Sequence, residues 1–373
     1  MASQQRKVRI IAHYLPQYHP IPENDEWWEK GFTEWTHVTR AKPLFRGHKQ
    51  PKFPADLGYY DLRLPESRIA QAELARQYGI EGFCYWHYWF AGRRILETPF
   101  SEVLESGVPD FPFCLAWANH SWSAAWVGLP DKVFLEQTYP GPKDYEAHFY
   151  ALLPAFNDHR YITVDGKPLF IVFRPTHLPE PRQFADQWHC LAEKSGLKGI
   201  FIMGICCSPW DMSSWTPGDY GFDGCLTTTG LSPTGSSLLH NNEEITLDKL
   251  KIAIRSFFKR PVIHDYTKCV SNAFSPSPLP DYCFPAVLSN WDNTPRHGFS
   301  RGLVYRGCTP EAFRKHLRDG IDKVIERPID HRLVFIRSWN EWAEGNYLEP
   351  DHEYGRAFLT VVSDEVNSCA ESE

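Results

Sequence analysis

The sequence predicts a single (β/α)8 barrel, and three observations support this fold class. Eight short apolar segments alternate with amphipathic helical segments along the 373 residues. Several apolar segments are almost free of polar residues, as in Leu169-Phe170-Ile171-Val172-Phe173, which is typical of parallel strands covered on both faces. No low-complexity linker or internal repeat divides the sequence. A doubly wound open sheet is the alternative arrangement for the same alternation.

The elements are assigned by their periodicity. The predicted strands are Arg9–Leu15, Gly82–Trp89, Phe111–Ala118, Pro168–Arg174, Gly199–Cys206, Phe222–Thr227, Pro285–Asn290 and Leu333–Ser338. The predicted helices carry apolar stripes at 70–78, 145–156, 184–191, 247–257, 313–324 and 358–362. We expect the barrel to occupy residues 8–366, with tails at residues 1–7 and 367–373.

Two connections that follow predicted strands are too long to be simple turns. Residues 17–64 are rich in Trp, Pro and His, and residues 226–242 are rich in Gly, Ser and Thr. Long connections in compact domains usually serve a function. In a barrel both would lie on the C-terminal face, where barrel active sites are found. We expect the long first loop to form an ordered wall of that site.

Composition disfavours several classes of protein. Lys and Arg total 39 and Asp and Glu total 46, and the resulting charge of −7 disfavours nucleic acid as a partner. No apolar run approaches the roughly 18 residues of a membrane span, and no signal peptide is evident at the N-terminus. Ten cysteines without a CxxC pair disfavour a zinc ribbon. We expect a cytoplasmic protein, and composition leaves its oligomeric state open.

Aromatic residues make up 15% of the sequence and include 14 tryptophans. All except Trp188 fall in the long first loop, at the ends of predicted strands or just after them, so we expect them at the C-terminal face. A cleft lined by aromatic rings suits the flat apolar faces of sugars. We expect Trp89, Trp117 and Trp291 to stack on sugar or to form cleft walls. A large aromatic core beneath the loops is the alternative.

Polar side chains share these strand ends, and we expect them to bind substrate. They are His13, Tyr14, Tyr85, His87, Asn119, Asn290, Asp292, Arg337 and Asn340. No HxH or HExxH motif is present, so we expect no metal site and no cofactor. The glycine-rich phosphate loop, GxGxxG and GxSxG are absent as well, which disfavours dinucleotide binding and a serine hydrolase triad.

A pair of carboxylates follows the eighth predicted strand, in Ser338-Trp339-Asn340-Glu341-Trp342-Ala343-Glu344-Gly345. Glu341 and Glu344 would lie on opposite faces of an extended strand, but a helical turn there would bring them within about 5–6 Å. Retaining glycosidases hold two carboxyl groups about 5–5.5 Å apart. The pair therefore indicates glycosidase chemistry, and two ordinary surface glutamates are the alternative.

Long motifs along the chain resemble the WbsX family, which is also described as glycoside hydrolase family 99-like. They lie at residues 12–20, 31–35, 82–89, 117–119 and 339–345. The resemblance implies a (β/α)8 barrel and adds Glu34 and Trp35 to the candidate substrate-binding residues. It also implies endo-α-mannosidase-like action on manno- or rhamno-configured polysaccharide. Ala343 stands where family 99 usually has His.

The resemblance further implies roles for the two carboxylates. Glu341 would take the proton from the sugar 2-hydroxyl, and Glu344 would protonate the leaving oxygen. WbsX-type proteins are often encoded among polysaccharide and O-antigen biosynthesis genes and described as glycosyltransferases. A retaining glycosyltransferase is therefore the second hypothesis, and a sugar-binding barrel without turnover is the third.

Overall fold

In the computed structural model the described residues are 8–123, 133–206, 215–227, 260–271, 273–274 and 278–371. Within them, eight parallel strands close into a barrel. These strands are β1 (Arg9–Tyr14), β2 (Gly82–His87), β3 (Phe113–Trp117), β4 (Lys167–Val172), β5 (Phe201–Cys206), β6 (Gly224–Thr227), β7 (Cys283–Leu288) and β8 (Leu333–Arg337). Each strand pairs with the next, and β8 pairs with β1. The predicted barrel is confirmed, and the open-sheet alternative is excluded.

Helices cover the outside of the barrel and occupy its long connections. They are α1 (Pro22–Trp27), α2 (Glu34–Arg40), α3 (Pro65–Gln77), α4 (Thr98–Ser106), α5 (Pro142–Phe156), α6 (Pro181–Lys194), α7 (Pro217–Tyr220), α8 (Tyr266–Val270), α9 (Thr294–His297), α10 (Pro310–Asp322) and α11 (Ala357–Glu371). The helix predicted at 247–257 lies outside the described residues. Helix α11 runs past the boundary expected at residue 366.

The sequence analysis did not anticipate α4, which follows β2. Its nine residues start with Thr98-Pro99 and bury only Pro99, Phe100 and Val103. Gly107 ends the helix in the left-handed conformation, with φ of 72°. So short a helix carries too few apolar repeats to be detected by periodicity alone.

The long first loop lies on the C-terminal face of the barrel, as predicted. It contains α1 and α2 and returns along the chain that follows β8, where the Ala55 amide donates to the Pro350 carbonyl over 2.8 Å. The Trp35 ring packs against Tyr18 and Trp342 at centroid distances of 4.7 and 5.6 Å. The first loop and the residues after β8 therefore form one wall of the barrel mouth.

None of the helices in the described part of the chain combines the length and the apolar character needed to cross a membrane.

Candidate active site

One guanidinium binds three carboxylates at the mouth of the barrel. Nη2 of Arg296 lies 2.5 Å from Oε1 of Glu34 and 2.9 Å from Oε2 of Glu341. Nη1 lies 2.6 Å from Oε1 of Glu344. The side chains of these four residues, the Arg296 cluster, are at most 14% exposed. Buried charges require partners, and a single cation cannot neutralise three ionised carboxylates.

The surplus of negative charge affects the ionisation of the cluster. Burial raises the pKa of Glu341 to about 7, and the Glu344 and Glu34 carboxylates also raise it, against the opposing effect of Arg296. Burial likewise raises the pKa of Glu34. Glu341 is therefore able to gain or lose a proton near neutral pH, which is the property required of a general base or acid.

A tight hairpin after β8 brings Glu341 and Glu344 onto the same guanidinium. Asn340–Glu341 pairs antiparallel with Asn346–Tyr347, and Trp342–Glu344 forms a 3-10 turn between them. Gly345 adopts φ of 62°, and a Cβ atom there would lie 2.9 Å from the backbone nitrogen of Asp292. Both the left-handed conformation and the close approach require glycine. The turn that the sequence predicted after the strand is present.

A buried carboxylate anchors the hairpin from below. Glu349 accepts hydrogen bonds from Nε1 of Trp342 (2.6 Å), Nε2 of Gln71 (2.7 Å) and the hydroxyl of Tyr60 (3.0 Å). The Trp342 ring stacks on Tyr347 with centroids 3.8 Å apart. The sequence analysis assigned no role to Glu349, because two of its partners are 278 and 289 residues away in the chain.

Asp292 positions the short helix that carries Arg296. Its carboxylate accepts hydrogen bonds from the hydroxyl of Thr294 (2.6 Å), Nε2 of Gln50 (2.7 Å) and Nε2 of His48 (2.8 Å). Burial opposes ionisation, but these contacts hold the pKa of Asp292 below its usual value. Asp292 was predicted to bind substrate, whereas the structure shows it holding the start of α9 against the first loop.

The Arg296 cluster forms one wall of a cavity of about 300 Å³, here called the central cavity. Among the described residues, the aromatic side chains that line it are Trp28, Phe32, Trp86, Tyr88, Trp122, Phe134 and Phe173. Its polar lining consists of Gln17, Glu34, His37, His120, Ser123, Arg174, Arg296, Arg337, Glu341 and Glu344. Flat aromatic walls with a few polar groups are suited to binding a sugar ring.

The predicted site residues that line the central cavity are Glu34, Arg337, Glu341 and Glu344. His13 lies directly beneath it, with its ring stacked on Trp86 at a centroid distance of 5.1 Å and only 1% exposed. The imidazole supports the cavity floor in this structure and is shielded from its contents.

The alternation of side chains along a strand takes four other candidates away from the cavity. Trp86 faces the cavity, so its neighbours Tyr85 and His87 face outward, toward the helices. Strand register places Tyr14 beside Tyr85, and Trp117 beside His87. All four are buried outside the barrel, at most 5% exposed. The sequence identified the correct strand ends. The prediction of substrate contact, however, included side chains that face the barrel axis and side chains that face the outer helices.

The outward residues form a second polar cluster beneath α5. Nε2 of His87 lies 2.8 Å from Nε2 of His148, whose ring stacks on Trp89 at 4.6 Å. Nε1 of Trp89 donates to Asp144 over 3.1 Å, and Nε1 of Trp117 donates to the Trp89 carbonyl over 3.3 Å. Trp89 and Trp117, predicted to stack on sugar, are therefore core residues here.

Two asparagines continue the strand ladder beyond the last backbone pair. Asn119 accepts from the Arg174 amide over 2.7 Å and donates to its carbonyl over 2.9 Å, which joins the ends of β3 and β4. Asn340 makes the same two contacts with Leu15 over 2.7 and 3.0 Å, which joins the ends of β8 and β1. Both side-chain amides were predicted to bind substrate, but in the structure they are hydrogen-bonded to backbone groups of the neighbouring strands.

The remaining candidates also lie off the central cavity. Nε1 of Trp35 donates to the Tyr60 carbonyl over 2.9 Å, and the ring is 8% exposed. The Trp291 ring lies under the Arg337 guanidinium at 5.6 Å and is 5% exposed. Asn290 lines a separate, much smaller cavity. Trp35 and Trp291 are held in the packed interior, and Asn290 faces the separate cavity instead.

Sequence reasoning missed several residues that line the central cavity, above all Arg296. Its position in the loop after β7 was the available signal, because that loop belongs to the C-terminal face. Of the tryptophans expected on this face, Trp28, Trp86 and Trp122 line the cavity. Trp126 and Trp210 lie outside the described residues. In the part of the chain that is described, no group of three or more His, Cys, Asp or Glu side chains is arranged to hold a metal ion.

The fold and the site together define a (β/α)8 barrel with a carboxylate pair at its C-terminal mouth. The chain belongs to the family described as Glycosyltransferase WbsX, which it matches over residues 10–362. It is 37% identical over 357 residues to the uncharacterized protein WxcX of two Xanthomonas campestris pv. campestris strains. That alignment covers 95% of this chain and 49% of WxcX, so the chain spans about half the length of these curated relatives.

Solved structures share the fold. A glycoside hydrolase-like protein aligns over 96% of this chain and 93% of its own, with a TM-score of 0.60 and 14% identity. Two structures of a glycoside hydrolase family 99 endo-α-mannosidase from Bacteroides thetaiotaomicron align over 98% of this chain and 99% of their own, with TM-scores of 0.56 and 0.54 and identities of 13% and 14%. The family match confirms the WbsX resemblance, and the solved structures share the barrel fold.

Proposed function

We propose that this chain is a retaining glycoside hydrolase that acts on manno- or rhamno-configured polysaccharide. The Arg296 cluster is the observation that carries the proposal. It holds the two carboxylates of the hairpin on adjacent nitrogens of one guanidinium, inside an aromatic cavity of sugar size. The pKa of Glu341, raised to about 7 by burial, supports an acid–base role near neutral pH.

The first step follows from the resemblance to family 99. The Glu341 carboxylate takes the proton from the sugar 2-hydroxyl, and O2 attacks the anomeric carbon as the bond to the leaving oxygen breaks. Glu344 gives its proton to that oxygen. Arg296 bonds Oε1 of Glu344, so we assign the transferred proton to Oε2. The product is a 1,2-anhydro sugar, and the geometry requires O2 trans to the leaving group.

The second step reverses these roles. Glu344, now a carboxylate, takes a proton from water as the water oxygen attacks the anomeric carbon. The bond from that carbon to O2 breaks, and Glu341 returns its proton to O2. Two inversions give net retention. Arg296 contacts both carboxylates, and we assign it a positioning role that keeps them together while their charges change.

A retaining glycosyltransferase is the second candidate, and the description of the WbsX family favours it. It would use the same two glutamates, with a sugar hydroxyl in place of water in the second step. A sugar-binding barrel without turnover would need the aromatic walls but not the paired carboxylates.

The test compares Glu341→Gln and Glu344→Gln on manno- and rhamno-configured oligosaccharides and aryl glycosides. We expect Glu344→Gln to slow poor leaving groups by about 10²–10⁴-fold and to spare activated aryl groups in part. Glu341→Gln should slow both alike, and 2-deoxy substrates should not react. Glu73→Gln, on the exposed face of α3, is the matched control.

Product analysis separates the two enzymatic candidates. New reducing ends of retained configuration, formed without any acceptor, identify a hydrolase. Products that form only when an acceptor sugar is added identify a transferase. Wild-type rates in Glu341→Gln, or normal turnover of a 2-deoxy sugar, would contradict participation by O2.

A further inference from the structure

Two arginines that line the central cavity form no ion pair within the described residues. Arg337 ends β8 and is partly buried, with its guanidinium 5.6 Å from the centre of the Trp291 ring. Arg174 follows β4 and is exposed at the rim, with its guanidinium 4.9 Å from the centre of the Phe173 ring. Each cation is packed on an aromatic ring, which leaves the N–H donors in the guanidinium plane available.

Elsewhere in the described chain, the most deeply buried arginine side chains are matched to carboxylates. The side chains of Arg9, Arg68 and Arg160 are 12%, 3% and 1% exposed and lie 2.7 Å from Glu81, Glu102 and Asp158. Arg296 has three such partners. Arg94 and Arg327 are partly buried without a carboxylate partner, but they donate hydrogen bonds to Ser101 and to backbone carbonyls. Arg337 has neither kind of partner in the described structure, and it lies inside the cavity, where a ligand would meet it.

The carboxylate nearest in effect, Glu341, does not serve as a hydrogen-bond partner for Arg337. The guanidinium is close enough to Glu341 to favour its ionised form, but the Glu341 carboxylate is hydrogen-bonded to Arg296 instead. Arg337 therefore keeps its donors beside the acid pair. A guanidinium fork matches the two oxygens of a carboxylate or phosphate.

Arg174 places a second cation on the opposite side of the cavity mouth. Strands β4 and β8 lie on opposite sides of the eight-stranded barrel, so Arg174 lies opposite the Arg296 cluster. His120 lies beside it on the cavity wall, and its Nδ1 is buried without a partner in the described structure. The acidic wall near β8 thus faces a wall that can donate hydrogen bonds to anions and hydroxyls.

We propose that the central cavity binds a saccharide that carries an oxyanion, with Arg337 as the principal partner of that oxyanion and Arg174 as a second contact at the rim. The inference rests on the proposed function, since the same cavity would hold the sugar ring over Glu341 and Glu344. Two sources share this chemistry: the carboxylate of a uronic acid in a polysaccharide, and the diphosphate of an activated sugar donor.

Calorimetric titration of the purified chain with paired ligands tests the proposal. One pair is a mannuronate oligosaccharide and the neutral mannose oligosaccharide of equal length. The other pair is a nucleoside diphosphate mannose and free mannose. We expect the anionic member of one pair to bind at least about 10-fold more tightly, because hydrogen bonds between charged groups are the stronger ones. The pair that shows the preference identifies the source of the oxyanion.

Substitutions then identify the residues that are responsible for the preference for the anionic ligand. Arg337→Gln should abolish it, Arg174→Gln should weaken it, and Arg337→Lys should retain part of it through charge alone. Arg63→Gln is the control, because Arg63 is exposed and paired with Asp61 in the first loop. Melting curves verify that each variant is folded, and Arg337→Lys serves as the test if Arg337→Gln does not fold.

The outcomes separate this inference from the proposed function. Equal affinity for neutral and anionic saccharides, or a preference that persists in Arg337→Gln, overturns the inference and leaves the proposed function standing. Binding of inorganic phosphate by Arg337 without binding of any saccharide overturns both. An anionic preference that depends on Arg337 supports the inference even if Glu341→Gln leaves catalysis unchanged.

Discussion

At the scale of single residues, Arg296 determines whether the mouth of the barrel can bury three carboxylates. Each of its contacts is a charge-assisted hydrogen bond in a nearly dry setting. An intact buried ion pair contributes little to stability. Removing one partner is strongly destabilising, because it leaves an uncompensated buried charge. The residue is therefore needed for the site to exist, besides the positioning role that we propose for it.

Replacement of Arg296 by Met should destabilise the fold in a way that depends on pH. We expect the free energy of unfolding to fall by about 3–5 kcal/mol at pH 8, where the three carboxylates are left without their cation. The loss should be smaller at pH 5, because Glu341, whose pKa burial raises to about 7, takes up a proton there. Denaturant unfolding at both pH values measures this, with Arg63→Met as control. An equal loss at both would contradict it.

Glu341→Gln should raise stability at alkaline pH. The pKa of Glu341 is about 7 in the fold against 4.5 for the ordinary group, so the stability due to its protonation is present below pH 4.5 and lost as pH rises through 7. A neutral amide removes that loss, and we expect a gain of about 2–3 kcal/mol at pH 8 that shrinks toward pH 5. Thermal melts of Glu341→Gln and of the exposed control Glu73→Gln test it. A gain independent of pH would argue against the assigned ionisation.

At the scale of elements, the strand ends are closed by side chains as well as by backbone. Asn119 and Asn340 each satisfy one amide and one carbonyl of the neighbouring strand. The hairpin that carries Glu341 and Glu344 begins at Asn340, so the same residue joins β8 to β1 and starts that turn. The Asn340 side chain is therefore used to hydrogen-bond the backbone of the neighbouring strand.

Truncation of either asparagine should therefore cost more than a surface substitution. Asn340→Ala leaves a buried N–H and C=O without partners, and Asn119→Ala leaves a partly buried pair. Each unsatisfied buried group costs about 1–3 kcal/mol. We expect a loss of about 2–4 kcal/mol in the free energy of unfolding for each variant. Asn367→Ala on the exposed face of α11 should change it by less than about 0.5 kcal/mol. A loss as small as that control would show that water or backbone movement replaces the amide.

Strand alternation also explains where sequence reasoning about the site ended. Apolar runs identify a strand and its C-terminal end, but in strands buried on both faces they do not show which side faces the barrel axis. Tyr14 and Tyr85 looked equivalent to His13 and Trp86 for that reason. Pairing register resolves the ambiguity, and register is a property of the folded sheet.

At the scale of the whole molecule, buried histidines make the free energy of unfolding depend on pH. Burial lowers the pKa of His13, His87 and His316 to about 3. The unfolded chain takes up protons on these rings below pH 6.5, whereas the native chain resists until about pH 3. We expect the free energy of unfolding to fall between these pH values, by up to about 1.4 kcal/mol per pH unit for each ring.

His316 allows this dependence to be measured one ring at a time. Its nitrogens are buried without partners in the described structure, and the ring stacks on Phe274 at a centroid distance of 5.2 Å. His316→Leu keeps the approximate volume and removes the titrating group, so the slope of unfolding free energy against pH between 6.5 and 3 should decrease by about one proton. His159→Leu, at an 80% exposed side chain, is the control. An unchanged slope in His316→Leu would refute the explanation.

The fold as a whole was far more predictable than the site. The eight strands are local patterns in the sequence, and the closing turn at Gly345 follows from one glycine after a strand. The Arg296 cluster joins residues from the first loop, from the loop after β7 and from the hairpin after β8, and no local pattern connects them. Such a contact requires the barrel to be closed before it can be recognised.

The long separation within the Arg296 cluster has a consequence for synthesis on the ribosome. Glu34 emerges early, and its cation follows 262 residues later. A carboxylate cannot be buried at full charge without a partner, so the part of the first loop that holds Glu34 stays open to water while most of the barrel is being translated. Glu341 and Glu344 emerge later still. The full cluster can form only after residue 344 has been made, and a nascent chain that ends before residue 341 lacks both carboxylates of the hairpin.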